Sequence, residues 1–263
     1  MLTMICAVIL GLIVYSATDP IPGFHPVWSI VCGFAAMTVF QILVSLVLRR
    51  KSLKITQMIQ QTMMETQAKI QARQNQFMRK PTSQKIMLAT LEKEQNEGIE
   101  KILDILNLYK PLYLWNFMLK KQVNTMRMMF LYQQKKFDQV DELMPQCVFF
   151  DSQSIAMKMA RLYEKKEFTQ IDRFFKKKAR RLRKPDDAVL PYSLYAWILV
   201  KQERYDDAIS TLNNAKQKTS NEVIAKNWEM LVNKKYKHFS NAQLGDAWYA
   251  LALENPKLPK MQQ

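Results

Sequence analysis

A chain of 263 residues with 39 Lys and Arg against 23 acidic residues carries a formal net charge of +16, and its length suits one large domain or two small ones. Only 5 Gly and 10 Pro are present, which disfavours a β-sandwich or barrel dense in tight turns and favours helix. The three cysteines make neither a disulfide framework nor a metal site, because Cys6 and Cys32 lie inside apolar stretches and Cys147 stands alone. The 17 methionines serve as adaptable core filler.

The charge is unevenly placed. Residues 1–48 hold a single formal charge, Asp19, so all the Lys and Arg lie beyond them. Leu2 to Ala17 is apolar apart from Thr3 and Ser16, and Trp28 to Leu48 is an uncharged run of 21 residues. A bilayer core takes about 20 apolar residues as helix, so the second run meets that length and the first falls slightly short. Between them, residues 18–27 contain three prolines and a glycine, which suit a short loop. The expectation is a transmembrane helical hairpin over 1–48, with Trp28 at the headgroup level. Residues 1–17 have a competing reading as a cleaved signal peptide, against which stand the uncharged start and the poor cleavage site Val14-Tyr-Ser-Ala17.

From Arg49 to Lys85 there are nine Lys or Arg against one acid, Glu65. Basic residues flanking a span stay on the cytoplasmic side, which places the bulk of the chain in the cytoplasm and the protein in an inner (plasma) membrane. Arg49, Arg50, Lys51 and Lys54 are therefore candidates for contact with anionic lipid. Residues 49–82 read as a basic juxtamembrane linker helix, with Ile55, Ile59, Met63, Ile70 and Phe77 roughly on one face and Thr62, Thr66 and Gln74 interrupting it. Arg79-Lys80-Pro81 ends that helix, and Thr82 or Ser83 is the candidate cap of the next.

Beyond Ser83 one phrase recurs. Leu131-Tyr-Gln-Gln-Lys-Lys-Phe137-Asp-Gln-Val140 returns as Leu162-Tyr-Glu-Lys-Lys-Glu-Phe168-Thr-Gln-Ile171 and as Leu199-Val-Lys-Gln-Glu-Arg-Tyr205-Asp-Asp-Ala208. In each, a leucine ends an apolar-periodic stretch, polar residues turn the chain and an aromatic opens the next stretch. Phe137, Phe168, Tyr205 and Phe239 mark a period near 34, and a weaker copy places Ile99 and Ile102 where Phe137 and Val140 stand. Two helices per period of that length predict a stacked array of helical hairpins. The segment from His238 to Leu253 reads as a helix capped at Ser240, whose Trp248, Tyr249 and Leu253 close the array's apolar end.

This pattern resembles tetratricopeptide repeats, best over Val189 to Glu222. Ala196 and Ala208 match the family's two small residues, and Tyr205, Leu212 and Ala215 match other packing positions, while Ser220 stands where the family often has proline. The other copies depart further: Met128, Met159 and Met230 replace the small residue of the first helix, and Val140 and Ile171 that of the second. The resemblance covers roughly 83–256 and implies an α-solenoid of about four to five helix pairs, followed by a tail at 257–263. It also implies a concave face lined by Met129, Tyr132, Tyr163, Trp197, Lys201 and Lys235, a groove suited to a peptide with an apolar side chain and an acidic group. Tyr132 and Tyr163 have an equally weighted alternative, packing between neighbouring helices.

Catalytic chemistry finds no foothold. The five glycines are too scattered for a phosphate-binding loop, and neither His25 nor His238 has neighbours at metal-ligand spacing. The pairs Asp186-Asp187 and Asp206-Asp207 fall at helix starts, where they complement the helix dipole. No enzyme, cofactor or metal is expected. The densest basic run comprises Lys176, Lys177, Lys178, Arg180, Arg181, Arg183 and Lys184; it reads as a solvated helix face first, as an anionic-lipid surface second and as a nucleic-acid surface last. The expected protein is all-α: a two-span anchor, a linker helix and a repeat array that binds a protein partner or organises a membrane complex. The competing readings are an integral subunit of a large membrane assembly and a lipid or nucleic-acid binder through 176–184. The layout of two spans before a repeat array is also similar to that of membrane proteins associated with haem biosynthesis.

Overall fold

The computed structural model describes residues 2–19, 26–79, 83–179, 181–182 and 184–256, and among these residues the regular structure is all helix, with no strand. Most of the expected outer loop (residues 20–25) and the tail 257–263 lie outside the described residues. The chain divides into two compact units, 1–130 and 131–263.

In the first unit α1 (Leu2–Thr18) packs against α2 (Pro26–Arg79). Small residues form the seam. Ala7 and Ser29 are buried, and a Cβ added at Gly33 would meet the Gly11 carbonyl oxygen at 2.9 Å. The two backbones touch there, as apolar helices do when small side chains face each other. The outward faces are bare hydrocarbon, with Leu12 62% and Phe34 65% exposed. α2 is the one helix among the described residues long and apolar enough to cross a membrane, with a mean hydropathy of 2.3 over its apolar window; α1 is apolar but shorter.

α2 has 54 residues and spans about 80 Å at 1.5 Å per residue. The expected linker helix is thus the same helix as the expected second span, since no Gly or Pro interrupts the chain between Gly33 and Arg79. Its distal half is covered by α3 (Gln84–Leu106), which buries Ile99, Ile102, Leu103 and Leu106. On α2 the covered face runs through Ile55, Ile59 and Thr66 and leaves Met63 49% exposed, so the expected seam is misplaced by its Met63. Gly98 is the cause: its bare Cα admits the Thr66 side chain, and any Cβ there would run into it. α3 is also uninterrupted ahead of Ile99, so the weak upstream copy of the repeat has no turn. Ser83 stands at the cap of α3 without a side-chain hydrogen bond; Thr82 lies outside the described residues. α4 (Phe117–Gln133) ends this unit and its last turn opens the next.

The second unit is a succession of helix pairs: α5 (Phe137–Leu143) after the end of α4, α6 (Ser152–Glu164) with α7 (Phe168–Ala179), α8 (Pro185–Lys201) with α9 (Tyr205–Lys218), and then α10 (Glu222–Val232). α8 packs on α6 and α9, and α10 packs on α9. The turns of the recurring phrase share one geometry. Lys135, Lys166, Glu203 and Lys234 adopt φ of 56–59°, the left-handed region. In each turn the next N–H reaches back five residues: Lys136 to Leu131 O, Glu167 to Leu162 O, Arg204 to Leu199 O and Lys235 to Met230 O. These bonds satisfy helix-end carbonyls, as in a Schellman turn. By this register the fourth aromatic is Tyr236, stacked on Tyr205 at 3.8 Å, and not the expected Phe239.

Ion pairs join successive helices. Arg161 on α6 donates two bonds to Asp141 on α5 (3.1 and 2.8 Å) and lies over the Phe137 ring. Burial pushes the Asp141 carboxyl up, but the hydrogen bonds and charges of Arg161 and Lys165 outweigh it and hold the group below its ordinary value. Asp172 on α7 accepts from the Tyr195 hydroxyl and from Arg204, tying α7 to α8 and to the turn before α9. Asp151 and Asn221 cap α6 and α10 through their side-chain oxygens.

Two substitutions test these features by thermal unfolding of the full chain in detergent. Lys166→Gly relieves a side chain held in the left-handed region and should stabilise by up to about 1 kcal/mol. Gly98→Ala gains helix propensity yet should destabilise by about 1–2 kcal/mol, because its methyl meets Thr66.

Candidate functional site

Of the candidate groove residues in the second unit, Tyr163, Trp197 and Lys201 come together, and the chain's own C-terminal segment packs on Trp197 and on Tyr132. The final segment is not the expected continuous helix from Ser240. Gly245, at φ 61° and ψ −136°, separates a short 3-10 turn (Ala242–Leu244) from the one-turn α11 (Asp246–Tyr249), and Ala252 turns the chain again at φ 56°. Only glycine adopts the Gly245 conformation readily, which explains why an apolar helical pattern does not propagate through it. The redirected segment brings Trp248 edge-on to Trp197, with centroids 5.6 Å apart.

Trp197 on α8 also meets Tyr163 on α6 at 5.0 Å, and the Lys201 ammonium lies 5.1 Å from the Trp197 ring. The Glu254 carboxylate receives both indoles, Trp197 Nε1 at 2.9 Å and Trp248 Nε1 at 2.8 Å. Tyr132 donates its hydroxyl to the Leu251 carbonyl oxygen at 2.7 Å, and burial pushes its pKa well above the ordinary value. Leu251 itself is buried. The segment is further pinned by two amides: Asn227 donates to Ser240 O and Asn241 Oδ1, and Asn241 donates to Ser193 O.

This placement corrects the expectation for two anchors. Tyr132 is 2% exposed and Trp197 6%, so both are core residues facing the C-terminal segment and not surface contacts awaiting a peptide. Tyr132 and Tyr163 also meet Phe137 and Phe168 edge-on across their own turns, at 5.2 and 6.1 Å, so each clasps the two helices that its turn joins. Tyr163 remains half-buried and Lys201 exposed. Lys235 is exposed in the turn after α10, where no described contact joins it to the cluster, and Met129 is half-buried on α4 within the first unit. Trp248, expected with Tyr249 and Leu253 to close the array's apolar end, is buried against Trp197 of α8 instead, while Tyr249 and Leu253 stay half-buried. Glu254, Asn227 and Asn241 carried no signal, because single polar residues acquire a role only once distant partners meet them.

The basic run divides in the structure. Lys176, Lys177, Arg181 and Lys184 are exposed, while Leu182 is buried; Arg180 and Arg183 lie outside the described residues. Lys178 turns inward and donates to the Phe149 carbonyl oxygen at 2.6 Å. Burial, then the charges of Arg181, Lys177 and Lys158, hold its pKa below the ordinary lysine value. Lys158, unremarked in the sequence, lies over Phe149 and Phe174 at 4.6 and 4.9 Å, and burial lowers its pKa. In the first unit Arg49, Arg50, Lys51 and Lys54 are all exposed on α2, immediately after its uncharged stretch. Among the described residues no group of three His, Cys, Asp or Glu is placed to hold a metal ion.

Comparison with known proteins yields no family model, no curated protein and no solved structure that matches this chain.

The cluster makes a discriminating prediction. Trp197→Ala should destabilise the chain by about 3–5 kcal/mol through the cavity it leaves. Lys201→Glu, at an exposed position, should change the melting temperature little. Equal effects of the two on thermal unfolding would mean that Trp197 is not packed as described.

Proposed function

We propose that this protein is a membrane-anchored adaptor. Its N-terminal hairpin, α1 with the first half of α2, holds it in the inner membrane, and its tetratricopeptide-like helix pairs bind a protein partner or organise a membrane complex on the cytoplasmic face. The observation that carries this reading is the union in one chain of a 48-residue start whose one formal charge is Asp19, a basic flank directly on the emerging helix and a succession of helix pairs sharing one turn. Arg49, Arg50, Lys51 and Lys54 sit where positive-inside orientation puts the remaining chain in the cytoplasm, and each gains about 1 kcal/mol near an anionic leaflet.

Since Tyr132 and Trp197 face the chain's own C-terminal segment, the partner meets exposed residues, among them Lys201, Lys235 and the outer part of the 176–184 run. A partner with an acidic surface fits that charge. No cofactor or metal enters this reading, and no catalytic residue is assigned.

A second reading is favoured by the bare apolar faces of the hairpin: an integral subunit of a larger membrane assembly, whose hairpin makes the contacts that matter. Replacing residues 1–48 by an unrelated two-span anchor separates the two. Full-length protein and chimera are captured in mild detergent, and their co-purifying proteins are compared by mass spectrometry. An adaptor keeps its partner in the chimera and loses it on charge reversal of Lys201 and Lys235. A subunit loses its partner in the chimera. Retention in every variant would count against both.

A further inference from the structure

The first unit carries an exposed apolar loop at the level where α2 leaves its uncharged stretch. α3 runs into a 3-10 turn (Asn107–Leu112) containing Pro111, followed by a turn at 113–115. Its residues divide sharply. Tyr109 and Leu112 are 4% and 5% exposed, whereas Leu108 and Leu114 stand 49% and 69% exposed, with Trp115 half-buried beside them. Two leucines held in water across a short turn forgo the burial that the same turn grants its neighbours.

The loop's height along the hairpin is fixed by hydrogen bonds at both of its ends. The Tyr109 hydroxyl donates to the Ser52 carbonyl oxygen at 3.3 Å and shares a bond of 3.0 Å with Thr56 Oγ1. Ser52 lies within one turn of Arg49, the first charged residue of α2. At the other end, the Thr3 hydroxyl donates to the Trp115 carbonyl oxygen at 3.2 Å. Thr3 belongs to the first turn of α1, which is itself uncharged. The loop therefore descends from the basic flank of α2 to the start of the apolar hairpin. Lys110, Lys120 and Lys121 are exposed in and after it.

We infer that Leu108, Leu114 and Trp115 form an interfacial wedge that inserts into the headgroup–acyl boundary of the membrane holding the hairpin. The occupant of this surface is lipid. An aromatic and leucines at that depth gain apolar burial, and the nearby lysines meet anionic headgroups. Because the wedge is bonded to both hairpin helices, it fixes the depth of α2 and stiffens the point where the helix emerges. The inference rests on the proposed membrane anchoring, and its test separates the two.

The full-length chain, with Cys6, Cys32 and Cys147 changed to Ala, is reconstituted in phosphatidylglycerol-containing nanodiscs with one nitroxide label per variant. The positions are Leu114→Cys in the wedge, Val39→Cys on the outward face of α2 and Lys93→Cys on the exposed face of α3. Collision rates with oxygen and with a water-soluble nickel chelate are read by electron paramagnetic resonance. The expected result is oxygen-dominated collision at 114 and 39 and nickel-dominated collision at 93. Nickel-dominated collision at 114 with 39 still oxygen-dominated overturns the wedge and leaves the anchor standing. A label at 114 shielded from both reagents shows protein cover in place of lipid and also overturns it. Nickel access at both 114 and 39 removes the anchor, and the wedge with it.

Discussion

A backbone amide in apolar surroundings must find its hydrogen-bond partner inside its own helix, and the first unit is built on one helix that meets this demand from Pro26 to Arg79. α2 carries the chain without interruption from uncharged residues into a basic stretch. Everything else in that unit is arranged along it. Near one end Gly33 receives Gly11 of α1, and past the middle Ile55, Ile59 and Thr66 receive α3. A break near Leu48 would free several N–H and C=O groups beside bare hydrocarbon, and each would cost several kcal/mol if no water reached it. The sequence change from apolar to basic alters the surroundings of the helix and leaves its backbone alone.

The second unit depends on a different device, a turn that accepts strain. Lys135, Lys166, Glu203 and Lys234 all occupy a backbone region that glycine enters freely, at about 1 kcal/mol or more apiece for an ordinary side chain. The i to i−5 bonds offset part of this by satisfying helix-end carbonyls, and the aromatic after each turn contributes the rest. Phe137 meets Tyr132 and Arg161, Phe168 meets Tyr163, and Tyr205 and Tyr236 stack on each other. An exposed lysine or glutamate at the strained position keeps these turns soluble, since a polar tip faces water whatever the backbone does.

Local periodicity explains which parts of this architecture were legible. The leucine, polar turn and aromatic of the recurring phrase are short-range signals, and the turns at 135, 166 and 203 fall where the phrase puts them. The fourth failed by three residues because Phe239 fits the period and Tyr236 fits the turn; hydrogen bonding decides that contest, and spacing does not reveal it. Met63 and Thr66 show the same limit on α2. An apolar seam selects Met63, but a glycine on another helix makes room for Thr66, and a sequence read along one helix does not see Gly98. The expected helix from Ser240 failed on a single backbone conformation at Gly245.

The largest departure concerns the groove, and its energetics bear on how the proposed adaptor would recognise a partner. Residues that read as exposed aromatic anchors are those most able to bury a C-terminal segment carrying Trp248, Leu251 and Glu254. Removing that segment would expose two fully buried side chains, worth about 1.5–3 kcal/mol each, and break two indole–carboxylate bonds worth about 1.5–3 kcal/mol each. A peptide competing for the same place would begin with its affinity lowered by about four orders of magnitude or more. Recognition on the exposed charged faces carries no such handicap. It draws on long-range attraction, which raises the association rate and sets orientation before contact, and that suits a chain whose Lys and Arg all lie beyond residue 48.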